Sequence, residues 1–141
     1  NHKNFFTIIS SNKLYLVSNG AGPVFLKDGN TFKRIDNTSL HKNQFGGARF
    51  VFNNKIHIYG GYGFWSFKNF ISFFDENIKQ WDLVYNDSKF IPPGRWKPIY
   101  NLINDKLFVL GGRTGSPGSQ GQDEPFSDVF YFDFSSKEFL I

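Results

Sequence analysis

Asn53-Asn54-Lys55-Ile56-His57-Ile58-Tyr59-Gly60-Gly61 recurs as Asn104-Asp105-Lys106-Leu107-Phe108-Val109-Leu110-Gly111-Gly112. Ser11-Asn12-Lys13-Leu14-Tyr15-Leu16-Val17-Ser18-Asn19 is a weaker copy, with Ser18-Asn19 in place of the double glycine. Lys13, Lys55 and Lys106 lie 42 and 51 residues apart, spacings that sit around the repeat length of a four-stranded propeller blade, about 40–50 residues. In each copy an apolar run precedes a polar pair: 6–9, 50–52 and 99–103. Asn and Asp tolerate left-handed backbone angles and bond their own main chain, so the pair turns the chain into a hairpin. The strands on either side are near-continuous apolar runs, the pattern of strands covered on both faces.

A second hairpin follows in every copy. Val24–Asp28 turns through Gly29-Asn30 into 31–35, Ile71–Asp75 turns through 76–79 into 80–84, and Val129–Asp133 turns through Ser135-Ser136 into 138–141. Trp81 and Phe139 each stand six residues after the aspartate that ends the preceding strand, and Phe32 takes this place in the first copy. The chain is therefore predicted to be all-β, with three four-stranded units over 5–35, 48–84 and 98–141. No stretch shows sustained helical periodicity with start and stop signals.

Composition agrees. Nineteen Phe, six Tyr and three Trp make up 20% of the 141 residues, and aromatic residues suit a pleated, half-buried surface. With no Cys, disulfides, thiolate metal sites and Cys nucleophiles are excluded. The net charge is +4, yet Lys and Arg are scattered rather than clustered, so no nucleic-acid partner is expected. No window reads as a membrane span or a signal peptide, which leaves a cytoplasmic location slightly favoured and no membrane partner expected.

Apolar strand, Asn/Asp turn, apolar strand, double glycine, apolar strand ending in Asp, then an aromatic: this order resembles the kelch repeat. Gly60-Gly61 with Asp75 and Trp81 carries it best, followed by Gly111-Gly112 with Tyr131 and Asp133. Pro93-Gly94-Arg95 is similar to the Pro and Arg that often precede a kelch strand. The resemblance implies a partial kelch-type β-propeller of three blades, or half of a six-bladed ring. Propellers close with about 4–8 blades, so three are expected either as a piece of a longer chain, which the absence of an initial Met also fits, or as a homodimer completing a ring. It also implies a non-catalytic protein-interaction module without a cofactor, binding a protein or peptide partner of acidic character. Gly60, Gly61, Gly111, Gly112, Trp81 and Phe139 are then structural, each aromatic wedging between neighbouring units.

The same resemblance places the loops after second and fourth strands on one partner-binding face. Its candidates are Arg113, directly after a double glycine, the aromatic group Tyr62, Phe64 and Trp65, and the pair Arg95 and Trp96. Arg95 reads better as a brace of its unit than as a ligand-facing group. Asp123, Glu124 and Asp128 form an acidic stretch without the alternation of a calcium loop. His2, His41 and His57 are far apart, and His57 sits mid-strand, where a satisfied or half-exposed histidine is expected rather than a ligand. No Gly-x-Ser-x-Gly elbow, His-Glu-x-x-His or phosphate loop appears. Kelch-like copper oxidases need a Tyr–Cys cofactor, for which this chain has no Cys; a sialic-acid-epimerase type or glycan-binding propeller is the alternative. Asn37-Thr38-Ser39 and Asn86-Asp87-Ser88 match the acceptor pattern for N-linked glycans.

Overall fold

A computed structural model describes residues 4–115 and 124–141; His2 and Asp123 lie outside them. The chain is all-β. In order come β1 (Phe5–Ser10), β2 (Lys13–Ser18), β3 (Val24–Asp28), β4 (Thr31–Arg34), β5 (Ala48–Phe52), β6 (Lys55–Tyr59), β7 (Tyr62–Gly63) and β8 (Ser66–Phe67). Then follow β9 (Ile71–Asp75), β10 (Gln80–Leu83), β11 (Ile99–Ile103), β12 (Lys106–Leu110), β13 (Arg113–Thr114), β14 (Glu124–Pro125), β15 (Val129–Asp133) and β16 (Glu138–Leu140). They build three four-stranded antiparallel sheets, β1-β2-β3-β4, β5-β6-β9-β10 and β11-β12-β15-β16. Two short hairpins, β7-β8 and β13-β14, stand between the second and third strands of the later sheets.

The turns follow from the residues that make them. Ser11-Asn12 and Asn53-Asn54 each hold two successive positive φ angles, 50° and 59° in one and 48° and 58° in the other. That pairing is a type I′ turn, whose twist matches the flanking strands. Leading the next tight turn, Asn104 also has a positive φ, 54°. Lys79 and Lys137 close the two four-residue connections in the left-handed region, at 57° and 62°.

Strand alternation then sends side chains to two different cores. On β6, Ile56 and Ile58 face the first sheet, where they pack with Tyr15, Val17, Ala21 and Val24. Tyr59 faces the third sheet, in a cluster with Leu107, Val109, Phe130 and Phe132. Sheet two is thus covered on both sides, which explains its apolar run without clean alternation. Trp81 on β10 is buried in the first core at 5% exposure, and its indole N–H donates to the Gly22 carbonyl at 2.8 Å. Phe139 on β16, at 3% exposure, fills the second core beside Tyr59. Each outer-strand aromatic therefore wedges against the sheet before its own. Phe32, on the outer strand of the first sheet, remains 36% exposed among the described residues.

The double glycines mark close backbone crossings. Gly61 has φ 100°, and a Cβ there would stand 2.4 Å from the Gln44 carbonyl carbon. Gly112 matches it at φ 93°. In the first unit Ser18-Asn19 holds the place of the double glycine: Val17 pairs with Val24 as Tyr59 pairs with Ile71, and Ser18 N–H donates to the Pro23 carbonyl as Gly60 N–H donates to that of Phe70.

His57 is buried at 3% exposure. Its ring stacks on Phe50 at 5.2 Å and meets Phe134 edge-on at 5.5 Å, while Nδ1–H donates to the Lys55 carbonyl at 2.8 Å. Loss of solvent outweighs that hydrogen bond, and with the nearby Lys55 charge it pushes the imidazole pKa down to about 4.

Two predictions follow from these cores. Trp81→Ala loses about 3–5 kcal/mol in urea denaturation, the cost of deleting a core aromatic; a loss under about 1 kcal/mol contradicts the wedge. An unfolded histidine takes its proton near pH 6.5 and folded His57 only near 4. Stability is then complete above pH 6.5 and falls as pH drops to 4, by about 3 kcal/mol at about 1.4 kcal/mol per unit. His57→Phe flattens a pH series of unfolding midpoints across that window.

Candidate functional site

The loops that link second to third strands, and fourth strands to the next sheet, are tied into one continuous band. Backbone N–H groups of Lys42 and Gln44 donate to the carbonyls of Ala21 and Gly20 at 3.3 and 3.2 Å. Phe45 and Tyr62 exchange both hydrogen bonds, at 2.9 and 2.8 Å, and Trp96 and Arg113 do the same at 3.0 Å each. Gly61 N–H reaches the Arg95 carbonyl at 2.7 Å, and Lys97 N–H reaches Gly46 at 2.7 Å. Five loops that are distant in sequence thereby share one backbone network, and Arg113, Trp96 and Tyr62 come together on it.

Two buried polar side chains anchor the band from beneath. Gln44 and Arg95 each precede the first strand of their sheet by four residues, and both have 0% exposure. The Gln44 amide donates to the carbonyls of Ile58 and Phe70 at 3.0 and 3.2 Å and accepts from the Ser72 hydroxyl. Arg95 forms a two-pronged pair with Asp128, at 2.6 and 2.9 Å, and donates to the Gly111 carbonyl at 2.8 Å. Its guanidinium also lies over the rings of Phe126 and Phe130, at 4.1 and 4.6 Å. Hydrogen bonds from Arg95 hold the Asp128 carboxyl below its ordinary pKa.

Arg95 therefore leaves the set of partner-facing residues. Its donors are spent inside the fold, and bracing is the role its surroundings define. Asp128 is committed to the same pair, while Glu124 is exposed on β14. Among the described residues, no group of three or more His, Asp or Glu is placed to hold a metal ion.

The aromatic group divides as the hairpin β7-β8 dictates. Tyr62 is half-buried, its ring 4.7 Å from Phe67 and 6.5 Å from Trp96. Phe64 and Trp65 form the two-residue tip and are 82% and 59% exposed. Both hold positive φ, 51° and 64°, at positions where a type I′ turn favours Asn or Gly. Left-handed backbone at a non-glycine residue costs on the order of 1–3 kcal/mol, so local folding is not what selects these two side chains. Lys68 Nζ steadies the hairpin by donating to the Gly63 carbonyl at 3.0 Å and to the Ser66 hydroxyl.

Around the tip the surface is apolar and cationic. Leu40 is 81% exposed in the neighbouring loop, and the His41 ring stacks on Phe45 at 5.9 Å. Trp96 is half-buried under the Lys97 ammonium, which sits 4.2 Å from its ring. Arg113 is exposed. Segments 37–47, 60–70 and 88–98 contain no Asp or Glu but carry Lys42, Lys68, Lys89 and Lys97, besides the buried Arg95. Sequence reading missed Gln44, Leu40 and Phe45. Gln44 stands at the same offset before its strand as Arg95, so aligning the units by that offset would have found it.

No protein-family model matches the chain, and no curated protein matches it.

Removing one partner of the Arg95–Asp128 pair strands a buried charge. A fully buried pair loses about 3–5 kcal/mol in this way. Asp128 is 40% exposed, so Asp128→Asn is expected to lose about 2–3 kcal/mol in chemical denaturation. Asp128→Asn is also expected to speed proteolytic cleavage within 92–98, and unchanged cleavage contradicts the brace.

Proposed function

We propose that this chain is a segment of a kelch-type β-propeller and acts as a protein-interaction module through its loop band. Three sheets stack face to face in chain order, with β1 against β5 and β6 and β5 against β11. First strands lying together, with an aromatic wedge between sheets, support the propeller reading. A rigid scaffold carrying loops on one band is where binding function tends to sit.

The exposed Phe64-Trp65 tip, held in an unfavourable backbone conformation, carries the functional reading. Aromatic side chains presented on a braced hairpin serve as anchors with little conformational entropy to lose. The cationic, carboxylate-free segments around the tip favour an acidic peptide as the partner. In this reading Phe64 and Trp65 insert into the partner, Arg113 and Lys97 face its carboxylates, and Tyr62 and Trp96 support them from below.

A peptide library displayed on phage and panned against the folded chain tests this. Selected sequences are expected to combine Asp or Glu with an apolar residue. Their affinity is expected to fall at least about tenfold for Phe64→Ser/Trp65→Ser, equivalent to about 1.4 kcal/mol, and to fall again for Arg113→Glu. Peptides that bind these variants with unchanged affinity overturn the assignment.

A further inference from the structure

Each internal interface joins two different kinds of sheet face. One kind, the wedge face, presents the outer-strand aromatic: Trp81 with Phe74, Ile56 and Ile58 in the second sheet, Phe139 with Phe132 and Leu107 in the third. The other, the receiving face, presents three cross-strand partners at the glycine end of the sheet. They are Phe6, Val17 and Val24 in the first sheet, and Ala48, Tyr59 and Ile71 in the second. Wedge meets receiver twice in this molecule.

One face of each kind is left uncovered. The first sheet turns its wedge face outward, with Phe5, Ile9 and Phe32 at 41%, 67% and 36% exposure. Phe32 pairs with Lys27 across the strands as Trp81 pairs with Phe74. The third sheet turns its receiving face outward, where Ile99, Leu110 and Val129 form the matching cross-strand row. They are 70%, 40% and 54% exposed. Register fixes the correspondence: Ile99, Leu110 and Val129 hold the places that Ala48, Tyr59 and Ile71 hold where Phe139 seats.

We propose that these two faces mate between copies of this chain, the wedge face of one copy seating on the receiving face of a second. The internal interfaces supply the template: the same strand positions, the same order, and an aromatic from the fourth strand entering the neighbouring sheet. Such a contact is head-to-tail, so two copies that satisfy both faces at once close on each other and leave neither face open. Closure buries the apolar side chains that are exposed in a single copy, which is the driving force for association. This pairing uses sheet faces and leaves the loop band free, so it stands or falls separately from the peptide-binding reading.

Sedimentation of the 141-residue chain between about 1 and 100 µM tests it, a range that spans typical weak-to-moderate affinities. The expected result is a species of twice the chain mass at the upper end. Phe32→Asp and Ile99→Asp each spoil one exposed face, so each variant alone is expected to run as a monomer while keeping the wild-type circular dichroism and cooperative unfolding. A 1:1 mixture of the two variants retains one intact wedge–receiver contact and is expected to recover the pair. A wild-type monomer across the whole range means that something other than a second copy covers the faces, and overturns the proposal. So does a folded variant that still pairs like wild type, a mixture that stays monomeric, or a ladder of larger species.

Discussion

The burial of an outer-strand aromatic against the preceding sheet is the interaction on which the rest of this molecule depends. None of the three sheets has a core of its own; each cluster of buried side chains is made of two sheets. Trp81 adds direction to that burial, because its indole N–H must find an acceptor once removed from water, and the Gly22 carbonyl lies across the sheet boundary at 2.8 Å. Together with the Tyr15–Glu76 and Arg49–Asn19 hydrogen bonds across the same boundary, this bond limits how far the second sheet slides along the first. Phe139 repeats the wedge without a polar handle, edge-on to Phe130 and Phe132.

Stacking in turn sets the loop band. Once the sheets are in register, connections that arrive from different units lie close enough to exchange backbone hydrogen bonds. The buried side chains of Gln44 and Arg95 then secure the crossings. A neutral amide suffices under the first crossing, where its partners are carbonyls and a hydroxyl. Under the second, a guanidinium is paired with the Asp128 carboxylate and stacked on two rings. This rigid base lets the β7-β8 hairpin hold Phe64 and Trp65 outward despite their strained backbone.

Much of the fold is legible in the sequence, because turns and alternation are local. Asn53-Asn54 and Gly29-Asn30 announce their hairpins, and the apolar runs between them leave little choice of register. The departure of the first unit was also legible, because Ser18-Asn19 occupies the strand-end place that Gly60-Gly61 holds in the second. At the site, the aromatic cluster was visible, but its division into support and tip was not. Tyr62 and Trp65 are both aromatic residues in a glycine-rich loop, and a two-residue turn decides which is exposed. The fate of Arg95 depends on Asp128, 33 residues away, a distance over which no spacing rule reads.

Hydrogen exchange of the tryptophan indole protons in the native chain, followed by NMR, tests the stacking most directly. Trp81 shares its N–H with the preceding sheet, so its exchange is expected to require opening of the sheet boundary and to be slowed to near the limit set by global unfolding. Trp65, 59% exposed at the hairpin tip, supplies the internal reference and is expected to exchange at once. A Trp81 indole that exchanges as fast as that of Trp65 would contradict the wedge and the order of sheets built on it.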